Sequence, residues 1–546
     1  MTDIKPDDAL YLNTSRQDRI DILNTEKQWD IIVIGGGITG AGIFKFASQL
    51  GMKALLIEQQ DFAWGSSSKS SKMVHGGLRY LAKGQGLLAL ESVKERQRLL
   101  KEARFLVTQE NFVMGHYKKQ FPWPWIFNLL LTVYDFLAGK RQHKFWSKSL
   151  YKWLVPAIND DALIGGTQFV DAITDDARLV LRLLQEAQQL GGVAINYTKA
   201  TDLISNNNKI TGVNVEIISD AEQKVQALQL SSKCIVNASG AWSDKLVTAK
   251  DNQPKSLKIR PLRGSHLVIP NWRLPVACAV SVLHPEDKRP VQIYPWQNMT
   301  IVGTTDVEHK GSLINEPNIS QTEFTYLLDC VDVLFPHAKL SIDDIVSTFA
   351  GVRPVISCNK NSAPSAEKRE HYIAEKSGFI SVAGGKLTTF RTIAKQVIKR
   401  VNKQIKHQDK LPDFVAFQIL PAIDNGHATK QLKERMLGLY GDLAPMFLSG
   451  FSPDFFKPIA YSRHVLAELL WALKYEQVFH LDDLLLRRTR IGNVLPNGGL
   501  AHVHLLKSYC DNILGWDEQI WQKELERYKN IINNYYSVPS NVTCKP

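Results

Sequence analysis

Between Trp29 and Glu58 the chain reads WDIIVIGGGITGAGIFKFASQLGMKALLIE, and its hydrophobic pattern changes twice. Asp30 to Ile34 is an unbroken β-branched run, the pattern of a central parallel strand covered on both faces. Small residues then open a helix, and KALLIE closes the unit as a second strand. Further along, GSHLVI, VQIYPW and TIVGTTD, all between 264 and 306, are short apolar runs that predict strands. Beyond residue 400 the period lengthens, and HVLAELLWALKYEQ (464–477) and DEQIWQKELERYKNIINNYY (517–536) predict helices. WIFNLLLTVYDFLAG (125–139) predicts a helix with one narrow polar stripe at Asn128, Thr132 and Asp135. At 1.5 Å per residue it is about 22 Å long, short of the ~30 Å of a bilayer core.

The first of these units carries the strongest chemistry. Gly35, Gly37 and Gly40 form G-x-G-x-x-G directly after a strand. The first glycine makes the turn, the second lets a pyrophosphate approach the backbone, and the third lets helix and strand pack closely. Gly36 lies between them, and Glu58 ends the second strand where a carboxylate accepts ribose hydroxyls. Strand, glycines, helix, strand and acid in that order predict one dinucleotide site, without choosing between NAD and FAD.

The 546 residues carry 66 Lys and Arg against 54 Asp and Glu, a surplus of +12. That fits an acidic ligand or an anionic membrane, and nothing resembles a nucleic-acid module, so no nucleic-acid partner is expected. Six cysteines without CxxC spacing predict neither disulfides nor a metal site, and favour a reducing compartment. The polar, acid-bearing N-terminus reads as neither signal nor transit peptide, and no apolar run spans a bilayer.

Other candidates have plain structural readings beside the functional ones. SSSKSSKMVHGGLRYLAKG (66–84) is rich in hydroxyls and bare amides, which suits a cofactor's phosphates and ring edges or simply a polar loop. Thr174 in TDDARLVL is expected to cap a helix whose first turn holds Asp175 and Asp176. His75 and His266 are both candidate proton acceptors, and His309 reads as a loop residue. Lys386 follows two glycines and precedes a helix near Leu387, a second anion-friendly helix start. The NVT at 541 fits a glycosylation sequon by chance.

The run SSSKSSKMVHGGLRYL closely resembles the signature of the FAD-dependent glycerol-3-phosphate dehydrogenases. TDDARLVL, NASGAW, RGSHLVIP, EDKRPVQIYPW, IVGTTDVEHKG, FAGVRPV, GGKLTTFR and LLLRRTRIG resemble the same family in the same order. The chain departs from it in a longer N-terminal lead, in GNVLPNGG, and in an aromatic, basic segment near 121–155.

This resemblance implies an α/β fold: an FAD-binding Rossmann-like domain, a β-rich substrate domain and a C-terminal helical domain. The expected bounds are a lead over 1–28, the FAD domain over 29–260 and 340–400, the substrate domain over 261–339, and helices over 401–546. FAD contacts fall to Gly35, Gly36, Gly37, Gly40, Glu58, Ser66, Ser67, Ser70, Ser71, Gly76, Gly77, Gly240, Gly384, Gly385, Leu387 and Thr388. Arg79, Tyr80, Arg353, Lys386 and His75 are the expected catalytic set, with Arg369 and His266 toward the substrate phosphate. Arginine suits that task because its planar fork binds phosphate oxygens in pairs and keeps its charge.

The implied activity is oxidation of sn-glycerol 3-phosphate to dihydroxyacetone phosphate with FAD, electrons passing to membrane quinone. The alternatives are an oxidase of the same family that uses oxygen, and an FAD-dependent amine or amino-acid oxidase. Residues 118–153, with Trp123, Trp125, Trp146, Trp153 and seven lysines and arginines, are expected to meet an anionic membrane from the cytoplasmic side. A buried helix or a homodimer contact is the other reading of that segment.

Overall fold

The computed structural model describes residues 15–218, 224–244, 246, 259–356, 371–423 and 428–540. Arg369 and the sequon at 541 lie outside the described residues. Two large sheets organise the chain.

The first is centred on the strand Gln28–Ile34. It runs parallel to Val225–Asn237 on one side and to Ala54–Ile57 on the other, with Ile34 opposite both Asn237 and Ile57. Phe379–Gly384 and Val193–Ile195 extend the parallel set outward. The helix Ile38–Gln49 lies against Asp176–Gln188 and Phe390–Ile405. Gly42 makes the last contact possible, since a Cβ there would fall 2.6 Å from the Phe390 ring.

The second sheet is wider than its sequence suggested. Its order runs Val307–Glu308, Ile259–Pro270, Met299–Gly303, Pro290–Trp296, Ala279–Leu283, Val107–Tyr117, Leu163–Thr174 and Met73–Val74. Ser347–Ile356 lies beside Ile259–Pro270, and Lys144–Ser147 beside Leu163–Thr174. The β-rich unit expected over 261–339 therefore draws strands from 73–174 and from 347–356 as well. The join is the parallel pairing of Ala279–Leu283 with Val107–Tyr117, where Ala279 faces Phe112 across some 170 residues of chain. Contiguous hydrophobic patterning carries no record of such a pairing.

The C-terminal region is helical, as expected, with Lys430–Tyr440, Leu466–Tyr475 and Glu518–Ile531 as its longer helices. A π-turn over Leu484–Arg488 sends arginines into the interior. Arg488 takes both oxygens of Asp61 at 2.6 and 2.7 Å, and Arg490 takes Asp175 at 2.7 Å and Asp176 at 2.6 Å. These buried pairs fasten the helical region to the loop that follows the dinucleotide motif, through Asp61, and to the start of the helix Asp176–Gln188, through Asp175 and Asp176. Burial pushes the thiols of Cys234, Cys278, Cys330 and Cys510 up to about 12, so they stay protonated.

Candidate active site

A cavity of about 1790 Å³ opens between the two sheets. Its floor is the glycine turn after Ile34. Gly35 has φ +114°, and a Cβ there would fall 2.7 Å from the Ala238 carbonyl oxygen. A Cβ on Gly40 would lie 1.9 Å from the Gly35 carbonyl oxygen. A side chain at Gly35 would break the tight turn, and one at Gly40 would push the helix off the strand, so both glycines hold the shape of the turn against which a pyrophosphate lies. Glu58 accepts the Gly36 amide at 2.7 Å and the Gln60 amide at 2.9 Å. Desolvation nevertheless holds its carboxyl above the ordinary range. An extended dinucleotide fits this groove, with Glu58 at the ribose end and the start of the helix Ile38–Gln49 at the phosphates.

Gly35, Gly37, Glu58, Ser66, Ser67, Ser70, Ser71, Gly77, Gly240, Gly384, Gly385, Leu387 and Thr388 line the cavity. Gly36, Gly40 and Gly76 do not. Gly36 packs on Glu58 and Phe62, and Gly76 makes room for Tyr134, whose hydroxyl would sit 2.0 Å from a Cβ there.

The serines of 66–71 are more committed than a cofactor loop needs to be. The Ser66 hydroxyl donates to the Val352 carbonyl. Ser67 Oγ accepts the Ile38 amide at 2.9 Å. Ser70 donates twice to Asp176, at 2.7 and 2.9 Å. Lys72 reaches the same carboxylate at 2.8 Å, and burial lowers its ammonium to about 8. The loop is thus pinned from behind, through Asp176, by Arg490. This revises the reading of TDDARLVL. Asp175, not Thr174, caps the helix by accepting the Arg178 amide, because Thr174 spends its hydroxyl on the Leu106 carbonyl. Both aspartates are buried counter-charges, not solvated first-turn acids.

His266 sits one layer behind the wall. Its ring stacks on Phe349 at 4.4 Å, and Nε2 is 2.9 Å from Ser71 Oγ. Desolvation, with Arg353 and Lys72 nearby, holds it well below the usual histidine range. A neutral, buried ring supports Ser71 and has no charge to offer a phosphate, which corrects the expectation for His266.

The far half of the cavity collects the remaining candidates. His75 lines it, half-exposed, with Nδ1 3.6 Å from Asp171. Asp171 is buried and accepts Gly76 N at 2.7 Å, Arg96 Nη1 at 2.6 Å and Tyr134 Oη at 3.0 Å. Desolvation pushes Asp171 up, but His75 and Arg96 outweigh it and hold the carboxyl below its ordinary value. Lys386 Nζ lies 3.6 Å above the Tyr80 ring, a cation–π contact between two of the expected residues. Arg79 lines the same wall. Gly384 and Gly385, at φ +72° and +92°, turn the chain so that Lys386 precedes a 3₁₀ turn and the helix proper starts at Phe390. Arg353 Nη1 meets Asp306 at 2.9 Å, and Nη2 donates to Thr304 Oγ1 at 3.1 Å. Asp171 and Asp306 went unnoticed in the sequence, since each acts through partners elsewhere in the chain.

The cavity continues past Phe112, Phe127 and Leu130 to Phe121 and Ile126, beneath the helix Pro124–Ala138. That helix turns Asp135 inward, where it accepts the Gln142 and His143 amides at 2.6 and 2.9 Å. Asn128 is half-buried and Thr132 is exposed, so the polar stripe expected on this helix runs from its inner side to its surface. The outer face is apolar: Trp125, Leu129 and Phe136 are 64%, 61% and 83% exposed, and Trp153 beside them is 82% exposed. Among the described residues no helix is long and apolar enough to cross a membrane.

Residues 30–391 match the family model described as FAD dependent oxidoreductase, and residues 380–520 match the C-terminal domain of alpha-glycerophosphate oxidase. The chain is 32% identical to an aerobic glycerol-3-phosphate dehydrogenase of Staphylococcus haemolyticus, over 85% of this chain and 87% of that one. It is 30% identical to the protein of that name from Bacillus subtilis, covering 93% and 96% of the two chains. The glycerol-3-phosphate dehydrogenase from Bacillus halodurans, solved in complex with FAD, superposes with a TM-score of 0.72 at 26% identity, covering 96% of this chain and 97% of that one.

Proposed function

The chain belongs to the FAD-dependent oxidoreductases that carry the C-terminal domain of alpha-glycerophosphate oxidase, and from that premise we propose how its cavity works. The protein is an enzyme that oxidises sn-glycerol 3-phosphate to dihydroxyacetone phosphate, with FAD as its cofactor. The observation that carries the reading is one continuous cavity lined both by a glycine cradle and by Arg79, Arg353, Lys386 and His75. FAD, when bound, supplies the hydride acceptor. The cradle would hold it through Gly35, Gly37, Glu58 and the amides around Gly384 and Gly385.

Arg353 and Arg79 grip the substrate phosphate, which is remote from the reacting carbon and so provides energy for positioning. His75 takes the proton of the C2 hydroxyl. Asp171, 3.6 Å behind it, orients the ring and offsets the charge it gains, a contact that tightens once substrate is seated. Lys386, steadied on Tyr80, faces the oxygen where negative charge develops. An amine or amino acid carries no phosphate for these arginines to bind.

The electrons go on to a membrane quinone. Support comes from the arm of the cavity that runs under Pro124–Ala138 and from that helix's apolar outer face. Lys118, Lys119, Lys140, Arg141, Lys144, Lys148 and Lys152 flank this helix in the chain and are exposed. Cations around exposed tryptophans complement an anionic lipid surface. The test is Arg353→Ala. Loss of a bidentate phosphate partner should remove about 2–5 kcal/mol of binding, so kcat/KM falls by orders of magnitude with FAD retained. An unchanged kcat/KM takes Arg353 out of the site. Peroxide formed in step with product, with no turnover on lipid-embedded quinone, would make oxygen the acceptor.

A further inference from the structure

At the substrate end of the cavity one buried carboxylate holds two arginines. Asp306, its side chain 3% exposed, meets Arg353 Nη1 at 2.9 Å and Arg289 Nη2 at 3.1 Å. The three residues converge from separate places in the second sheet. Arg353 lies within Ser347–Ile356, Arg289 immediately precedes Pro290–Trp296, and Asp306 follows Met299–Gly303. Each fork has a second anchor on the same turn. Arg353 Nη2 donates to Thr304 Oγ1 at 3.1 Å, and Arg289 Nη1 donates to the Asp306 carbonyl at 3.3 Å. Gly264 lets Arg353 lie close, since a Cβ there would be 2.5 Å from both Nη2 and Thr304 Oγ1. Both arginines line the cavity and keep part of their surface open to it, 26% for Arg353 and 31% for Arg289.

The chemistry of a phosphate monoester explains such a pair. Its dianion presents three terminal oxygens, and a single planar fork satisfies two of them. A second fork, fixed in the same frame, reaches the third. Two guanidiniums repel unless something holds them, and a desolvated carboxylate behind both supplies attraction and direction. We propose that Arg289 is a further phosphate-binding arginine for glycerol 3-phosphate, paired with Arg353 beside Arg79, and that Asp306 is the positioning residue that aims Arg289 and Arg353 together. The inference rests on the reading of this cavity given under Proposed function. It adds a determinant of specificity, because a substrate without the phosphate gains nothing from the pair.

The holoenzyme tests it through two constants: KM for glycerol 3-phosphate, and Kd for inorganic phosphate read as a perturbation of the bound flavin's absorbance. Arg289→Ala should raise both by about 10- to 150-fold, the range for a charge-assisted hydrogen bond, with kcat changed far less than KM. Asp306→Asn should raise the same two constants, and Asp306→Glu should recover part of the loss. Values within about twofold of wild type in Arg289→Ala overturn the assignment, and in Asp306→Asn they remove its positioning role. If Arg289→Ala fails to retain FAD, Arg289→Lys decides: it keeps the charge but not the fork, so a raised phosphate Kd supports the proposal and an unchanged one overturns it. A wild-type protein that binds phosphate but is not reduced by glycerol 3-phosphate would defeat the activity and leave the anion clamp standing.

Discussion

Replacing Asp171 by Asn should separate two jobs that one buried carboxylate performs. Asp171 is 2% exposed and holds Arg96, itself 1% exposed, at 2.6 Å, while its other oxygen faces His75 at 3.6 Å. The substitution leaves Arg96 charged and without its counter-charge in the interior, which costs about 3–5 kcal/mol for a broken buried pair. It also leaves His75 unoriented at the moment it takes a proton, and positioned base catalysis is worth roughly 10²- to 10⁴-fold. His75→Asn isolates the second effect, because His75 is half-exposed and its loss strands no buried charge. The assay is anaerobic stopped-flow loss of flavin absorbance at saturating glycerol 3-phosphate, with thermal unfolding measured in parallel. Asp171→Asn and His75→Asn should slow that phase by comparable factors, and only Asp171→Asn should lower the melting temperature strongly. In the double variant the rate losses should not multiply, since both act through one proton transfer. Rate losses that multiply, or an Asp171→Asn protein that is destabilised yet reduced at the wild-type rate, would refute the pairing.

Gly40→Ala should cost the protein its FAD, because the added carbon would fall 1.9 Å from the Gly35 carbonyl oxygen; a yellow variant with full flavin content would contradict the cradle. Changing Trp125, Phe136 and Trp153 to Ser together removes three exposed aromatics worth roughly 1.5–3 kcal/mol each when buried. Binding to anionic vesicles should then fall more than a hundredfold while turnover with a soluble dye survives, and unchanged vesicle binding would assign this face elsewhere. Glu110 titrates at about 7, pushed up by desolvation from 4.5. The folded chain therefore holds a proton that the unfolded chain has released between those values, so stability from this group is full below about 4.5 and is lost as pH rises through 7. Glu110→Gln should flatten the decline in melting temperature between about pH 5 and 8, and an identical slope in both proteins would reject the assignment.

What was legible in the sequence was local. The turn at Gly35–Gly40, the strands on either side of it and Glu58 lie within thirty residues, and each is specified by backbone geometry that only certain residues allow. The helices after residue 430 were equally plain, because their period is written in consecutive positions. The second sheet was not, since Ala279 opposite Phe112 is a pairing that neither segment announces. The same holds for function. Asp175 and Asp176 read as helix-start acids until Arg490 arrives from 314 residues away, and Asp171 reads as one polar position in a strand until Arg96, Tyr134 and His75 close on it. Asp135 makes the same point: a polar position of a helical stripe is held inward by two amides of the following turn, which the stripe alone does not foretell. Residues that act by contact across the chain leave no mark in its order.

One cavity that holds FAD beside a phosphate-bearing polyol should pass the substrate's hydride straight to the flavin. Anaerobic titration of the purified, yellow protein with sn-glycerol 3-phosphate measures it most directly. The flavin's visible absorbance should be lost, with one dihydroxyacetone phosphate formed per flavin. A flavin that stays oxidised under saturating glycerol 3-phosphate, yet bleaches with an amino acid or with dithionite, would contradict it.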